Sequence, residues 1–247
     1  MSAYYNEHDP FAAAWLRELI ADGLIAEGDV DERDIQTLDP ADLTGYTQCH
    51  FFAGIGGWSL ALRLAGWPDD RPVWTGSCPC QPFSAAGANL GGTDPRHLWP
   101  AWYCLIRECR PPVVFGEQVA AAIGYGWLDL VCDDLEREGY AVGAVGLPAG
   151  AFGAAHVRQR IWWVADTDGV RLPRPWQCQQ PRGSSSQAFR EADQFGDAVQ
   201  RDALPFLCLS HDGVSTQLAQ GFLRGFGNAI VPQVAAAFIA AYQEVNL

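Results

Sequence analysis

Short apolar runs alternate with amphipathic segments along most of the chain, and the pattern predicts an α/β protein. Phe11, Trp15, Leu16, Leu19 and Ile20 recur at helical spacing behind Pro10, which suits a first-turn position, so a helix is expected over 10–21. Leu24–Ile25 and Asp29–Val30 mark the edges of a short strand, followed by a loop or short helix up to Tyr46. An apolar strand (49–52) runs into the glycine-rich turn FAGIGG and a helix over 57–64. Further strands are expected at 72–75, 113–115, 140–147 and 161–165, and helices from Arg96, over 126–138 and from Pro232.

Between 167 and 220 the texture changes. Gln, Ser, Arg, Pro and Asp dominate, β-branched residues are few, and helix and strand signals fade, which reads as a loop-rich insert. The expected organisation is therefore one domain formed by 1–166 and 222–247, interrupted by an insert at 167–221.

Composition narrows the class. The 247 residues suffice for one large α/β domain, and 49% hydrophobic with 18% charged residues is ordinary for a globular protein. No apolar run reaches membrane-spanning length and no leader-like segment opens the sequence, so a cytoplasmic protein without membrane contact is expected. The eight cysteines form no CxxC pair, and Cys78 and Cys80 have no nearby histidine, so neither a disulfide framework nor a metal site is expected. Net charge is −13, yet all 16 basic residues are arginine, and 8 of them fall within 156–224 against 7 acids. An acidic protein whose arginines converge on one face can still bind nucleic acid, so this region is where to look for such a face.

Four features carry candidate chemistry. Cys80, in GSCPCQPFS (76–84), follows an apolar run and lies between two prolines that restrict the backbone, as befits a nucleophile at the carboxyl edge of a sheet; the alternative is a buried structural thiol. The glycines of FAGIGG would let a ligand approach the backbone above a helix N-terminus, or serve only to pack helix on strand. Glu117 is expected just past the end of the 113–115 strand, where a carboxylate faces the ligand crevice, unless it is merely solvated. Arg158 and Arg160, two apart on extended chain, would project together toward phosphate or a polar base edge, or toward solvent.

Taken in order, these blocks resemble the cytosine-C5 DNA methyltransferases. FAGIGG (52–57) looks like the S-adenosylmethionine loop, PCQPFS (79–84) the catalytic loop, and DPRHL (94–98) the following motif. GEQV (116–119) stands where the family has Glu-Asn-Val, HVRQR (156–160) resembles its two-arginine motif with His156 replacing glutamine, and GNAIVPQVA (227–235) resembles its last motif. The resemblance implies a class I S-adenosylmethionine-dependent methyltransferase (Rossmann-like) sheet, with the 167–221 insert as a small target-recognition region. It makes Cys80 the nucleophile, Glu117 the catalytic carboxylate and Arg158 and Arg160 their partners. It assigns Phe52, Ala53, Gly54, Ile55, Gly56, Gly57, Leu98, Asn228 and Ala229 to the cofactor, and Gln81 and Ser84 with the two arginines to the substrate. The implied cofactor is S-adenosylmethionine and the implied partner double-stranded DNA. A monomer from a restriction-linked or phage setting is expected.

One departure is informative. Cys80 follows Gly57 by only 23 positions, too few for the ribose and adenine segments that the family places between these motifs. Segments resembling them, YYNEHDPFAAAWL (4–16) and EGDVDERDI (27–35), instead precede the glycine loop. A permuted strand order follows, with Glu7 on the ribose and Asp29 on the adenine. It requires either a left-handed crossover from the glycine-loop strand to the catalytic strand, which is rare, or a re-routed connection at 67–72. Three other readings stay open: a weak relative that binds cofactor or DNA, an RNA cytosine methyltransferase, and a dinucleotide-dependent oxidoreductase.

Overall fold

The computed structural model describes residues 2–79, 98–154, 158–167 and 229–245. Within them lie strands β1 (Ser2–Asn6), β2 (Gly28–Asp31), β3 (Tyr46–Phe51), β4 (Val73–Gly76), β5 (Val113–Val119), β6 (Ala141–Pro148) and β7 (Gln159–Asp166). The helices are α1 (Pro10–Ala21), α2 (Gly57–Leu64), α3 (Trp99–Cys109), α4 (Trp127–Arg137) and α5 (Pro232–Val245). The strands form one seven-stranded sheet in the order β2-β1-β3-β4-β5-β7-β6. β1 to β5 pair in parallel, and β7 runs antiparallel to both β5 and β6. The order is that of the sheet the resemblance implies, with β1 and β2, the strands expected to carry the ribose and adenine segments, placed first in the chain.

Local signals explain most of the elements. Asp9 caps α1 by accepting from the amides of Phe11 and Ala12, and Pro10 occupies the first turn, where no amide is needed. Gly56, at φ 82°, leads into α2, and Arg110, at φ 52°, ends α3. Two of the strands that run further than their apolar runs predict bear on the site. β5 continues through Val119 because β7 pairs with every one of its residues, so Glu117 lies within the strand opposite Trp162 rather than past its end. β7 starts at Gln159 for the same reason.

Alternation along the strands divides the core into two faces. On one, Tyr4, Phe51, Trp74, Val114 and Trp163 pack against Trp99 and Trp102 of α3 and Trp127 of α4. On the other, Val73, Phe115 and Trp162 meet Trp58 and Leu62 of α2 and Val234 and Ile239 of α5. Ala3 and Tyr5 of β1 pack on Leu16 of α1 on this second face, where Ser59 of α2 also bonds the Tyr5 hydroxyl at 3.0 Å.

That arrangement settles the handedness of the connections. α1 and α2 cover the same face, but the α1 connection moves toward the β2 edge whereas the α2 connection moves from β3 the other way, to β4. The α3 connection moves in the direction of α2 on the opposite face, and the turns at 35–43 cross from β2 to β3 on that opposite face too. Three connections therefore share one hand and β3–α2–β4 has the other. Since parallel crossovers are right-handed almost without exception, the α2 connection is the left-handed one. The loop at 67–72 does not re-route the chain; the rare crossover is made. Its closure is well packed: Trp67 is buried under Arg71, whose guanidinium carbon lies 3.8 Å from the ring centre.

Candidate active site

The carboxyl ends of β1, β3, β4 and β5 meet along one edge of the sheet, and the candidate residues described there fall into two groups. The first surrounds the glycine turn. Glu7 follows β1 directly, and its Oε2 accepts from the Gly54 amide at 2.7 Å while Oε1 accepts from the Asp9 amide at 2.8 Å. The Ala53 amide donates to the Asn6 carbonyl at 3.0 Å, which ties the turn to the end of β1. Gly54, at φ 56°, has open space where a side chain would project, so only glycine gives both this conformation and a clear approach to the backbone. Phe52 also has positive φ, 51°, and its ring stands edge-on to Trp102. Ile55 is half-buried and Gly56 is covered. Gly57 serves packing: a Cβ there would lie 2.7 Å from Cγ1 of Ile230.

Asp29 is not brought to this turn. It pairs with Tyr4 partway along the edge strand β2, two residues before its end, and its Oδ2 accepts from the Tyr46 hydroxyl at 2.8 Å. The residue that closes β2 is Asp31, whose carboxylate is taken by Tyr4 and Arg33. The reason is the strand's register: GDVD pairs residue for residue with Ala3–Asn6, which leaves Asp29 two positions short of the edge.

The second group surrounds Glu117. The buried carboxyl Oε1 lies 2.9 Å from Nε of Arg160, which stands opposite Val119 and so on the same face as Glu117. Arg158, at φ 30° just before β7, donates from Nη2 to the Ala229 carbonyl at 2.8 Å, bringing the start of the last motif to the same place. Burial pushes the Glu117 carboxyl above the usual range, opposed by the Arg160 and Arg158 guanidiniums. Burial brings Arg158 down to about 10, helped by Arg160 and opposed by Glu117. These residues, with Leu147, Ala149, Trp162, Val231 and Val234, line one cleft. Leu98 sits half-buried at the start of α3, against the core that holds Phe52 and Trp102.

β4 delivers the segment that leads to Cys80. Gly76, its last residue, is in register with Gly116, so Ser77 to Pro79 emerge beside Glu117 and Gln118. Gln118, which replaces the family's asparagine, is buried and donates from Nε2 to the Cys78 carbonyl at 2.9 Å. Its own Oε1 accepts from the Val119 amide. The substitution therefore ties β5 to the backbone two residues before Cys80, a role that residue type alone did not reveal. Cys80, Gln81, Ser84, His156 and Asn228, and the 168–228 stretch, lie outside the described residues. Among those described, no group of three or more His, Cys, Asp or Glu residues could hold a metal ion, and no helix is long and apolar enough to cross a membrane.

Parts of the sequence are shared with known proteins. The Type II methyltransferase M.HgiCII of Herpetosiphon aurantiacus is 28% identical over 163 residues, 49% of this chain and 37% of the relative. M.AquIA of a Picosynechococcus strain is 29% identical over 202 residues, 77% of this chain and 71% of the relative. The chain thus spans about two fifths of the former relative and most of the latter. A solved structure of Spodoptera frugiperda DNMT2 superposes with a TM-score of 0.43 at 14% identity, covering 72% of this chain and 54% of that one. The family model for the C-5 cytosine-specific DNA methylases matches residues 67–199, from just after the glycine-turn helix through the Glu117 strand and the two arginines. With more than half of its length matched, this chain belongs to the C-5 cytosine-specific DNA methylase family.

Proposed function

We propose that the protein transfers a methyl group from S-adenosylmethionine to C5 of a flipped cytosine in double-stranded DNA. The observation that carries the reading is the buried Glu117 carboxyl, held by Arg160 beside the segment that leads from β4 into Cys80. Cytosine C5 is a poor nucleophile, and the Cys80 thiolate would activate it by adding to C6. Glu117 would bond the N3 edge and supply the proton that makes the adduct neutral, a task suited to a carboxyl whose burial favours its protonated form. Substitution at C5, loss of the C5 proton and expulsion of the Cys80 sulfur then restore the ring. Arg160 holds Glu117, and with Arg158 it would add a positive field that favours the thiolate. Because the target atom lies inside the duplex stack, the base must leave it, at a cost of about a few kcal/mol.

The glycine turn fits the cofactor. Glu7 is clamped by two amides with acceptor capacity left for ribose hydroxyls, and the backbone above Gly54 is open. Phe52 to Gly57, Leu98, Asn228 and Ala229 would complete its site. When bound, S-adenosylmethionine supplies an electrophilic methyl group. Residues 1–166 and 222–247 would form the catalytic unit, with 167–221 reading the target.

The test is transfer of tritiated methyl groups to duplex DNA and to RNA in parallel, with bisulfite mapping of the product. Label at cytosine in DNA supports the reading. Label confined to RNA, or none in either, contradicts it.

A further inference from the structure

Trp58 meets three separate parts of the site. It is the second residue of α2 and directly follows the glycine turn. Its indole Nε1 donates to Oγ of Ser77 at 3.0 Å, and Ser77 is the first residue beyond β4, three before Cys80. Its ring is stacked on Phe115, with centroids 6.4 Å apart and planes at 21°, and stands edge-on to Trp162 at 5.5 Å. Phe115 lies two residues before Glu117 on β5, and Trp162 pairs with Glu117 across β5 and β7. Trp58 is 2% exposed, so close packing against these neighbours fixes the direction of its N–H.

We infer that Trp58 is a positioning residue for the segment that leads into Cys80, its indole holding Ser77 in a fixed place relative to the glycine turn and to the strands around Glu117. The inference rests on the proposed methyl transfer through Cys80 and names a residue that reading does not use. An indole N–H can only donate, and the serine oxygen accepts it. The next residue of the segment is held from the other side, since Gln118 of β5 donates to the Cys78 carbonyl at 2.9 Å. The two residues that open the segment are therefore tied to two elements. One continues from the glycine turn and the other carries Glu117. A phenyl ring at position 58 would keep an aromatic face against Phe115 and Trp162 but could not reach Ser77 with a donor, so the bond can be removed while the site around it stays filled. Loss of the bond frees the start of the segment without touching the backbone of the glycine turn. The rate of transfer should suffer and cofactor affinity should not.

The experiment is steady-state methyl transfer to duplex DNA at saturating S-adenosylmethionine by the full chain and its variants, with cofactor affinity of each measured by calorimetry. Trp58→Phe should lower kcat by about tenfold and leave cofactor affinity within about twofold. Ser77→Ala, which removes the acceptor, should lower kcat by a similar factor, and Ser77→Thr, which restores it, should recover most of that loss. Combining Trp58→Phe with Ser77→Ala should lower kcat little further than either alone, because both remove the same bond. If Trp58→Phe fails to fold, the contrast between Ser77→Ala and Ser77→Thr decides the matter. An unchanged kcat in folded Ser77→Ala, an equal loss in Ser77→Thr, losses that multiply in the double variant, or a fall in cofactor affinity that matches the fall in kcat overturns the inference. No transfer by the unaltered chain overturns the proposed function and this inference with it, whereas transfer by the unaltered chain that the folded variants equal overturns this inference alone.

Discussion

Glu7 accepts a hydrogen bond from the Gly54 amide at 2.7 Å, although 46 residues, a helix and two strands lie between them in the chain. The contact exists because β1 and β3 are parallel neighbours whose carboxyl ends stand side by side. If this carboxylate serves the cofactor ribose, Glu7→Gln should weaken S-adenosylmethionine binding by about tenfold or more, corresponding to about 1.4 kcal/mol. Asp29→Asn should leave binding within about twofold, because Asp29 bonds Tyr46 two residues short of the carboxyl end of β2. Calorimetric titration of the two variants distinguishes the positions.

Gln118 predicts a catalytic defect that spares the cofactor. Gln118→Ala removes the donor to the Cys78 carbonyl and leaves a buried acceptor unpaired, at a cost of about 1–3 kcal/mol. The segment leading to Cys80 loses its anchor on β5, so kcat should fall while affinity for S-adenosylmethionine stays near that of the unaltered protein. Steady-state kinetics with thermal denaturation separates the two effects.

The stability of the fold should depend on pH through His50. Its ring is fully covered, stacked on Tyr5 with centroids 4.8 Å apart and bonded through Nδ1 to Thr75 at 2.7 Å. Burial lowers its pKa to about 3. The unfolded chain takes up this proton near pH 6.5 and the folded one does not, so stability present above pH 6.5 is lost as pH falls toward 3, by several kcal/mol over the whole span. Urea denaturation at pH 7.5 and pH 5 should show a drop that His50→Gln largely removes.

Gly57 tests the packing behind the left-handed crossover. A methyl group at this position would press on Ile230, so Gly57→Ala should destabilise the protein by about 1–3 kcal/mol. The cost should shrink in an Ile230→Ala background. A double-mutant cycle by chemical denaturation measures the coupling, and full additivity would mean that α2 and the chain at Ile230 do not meet as described.

Much of this was legible in the residues. Pro10 and the apolar spacing behind it gave α1, and Gly56 and Gly57 gave the start of α2, because capping and positive φ are local requirements. The permuted order was legible too, since YYNEHDP and FAGIGG keep their motifs wherever the chain places them. What escaped depends on pairing. The extent of β5 is set by β7, which carries Glu117 inside the strand. The placement of Asp29 depends on the β1–β2 register, and a four-residue polar strand carries little information about that.

The proposed activity stands or falls on methylation of cytosine through Cys80. The most direct measurement is transfer of tritiated methyl groups from S-adenosylmethionine to duplex DNA by the unaltered protein and by Cys80→Ser, with cofactor binding of both followed by calorimetry. Labelled cytosine is expected with the former, loss of transfer by at least about a thousandfold with the latter, and equal cofactor affinity for both. Undiminished transfer by Cys80→Ser would contradict it.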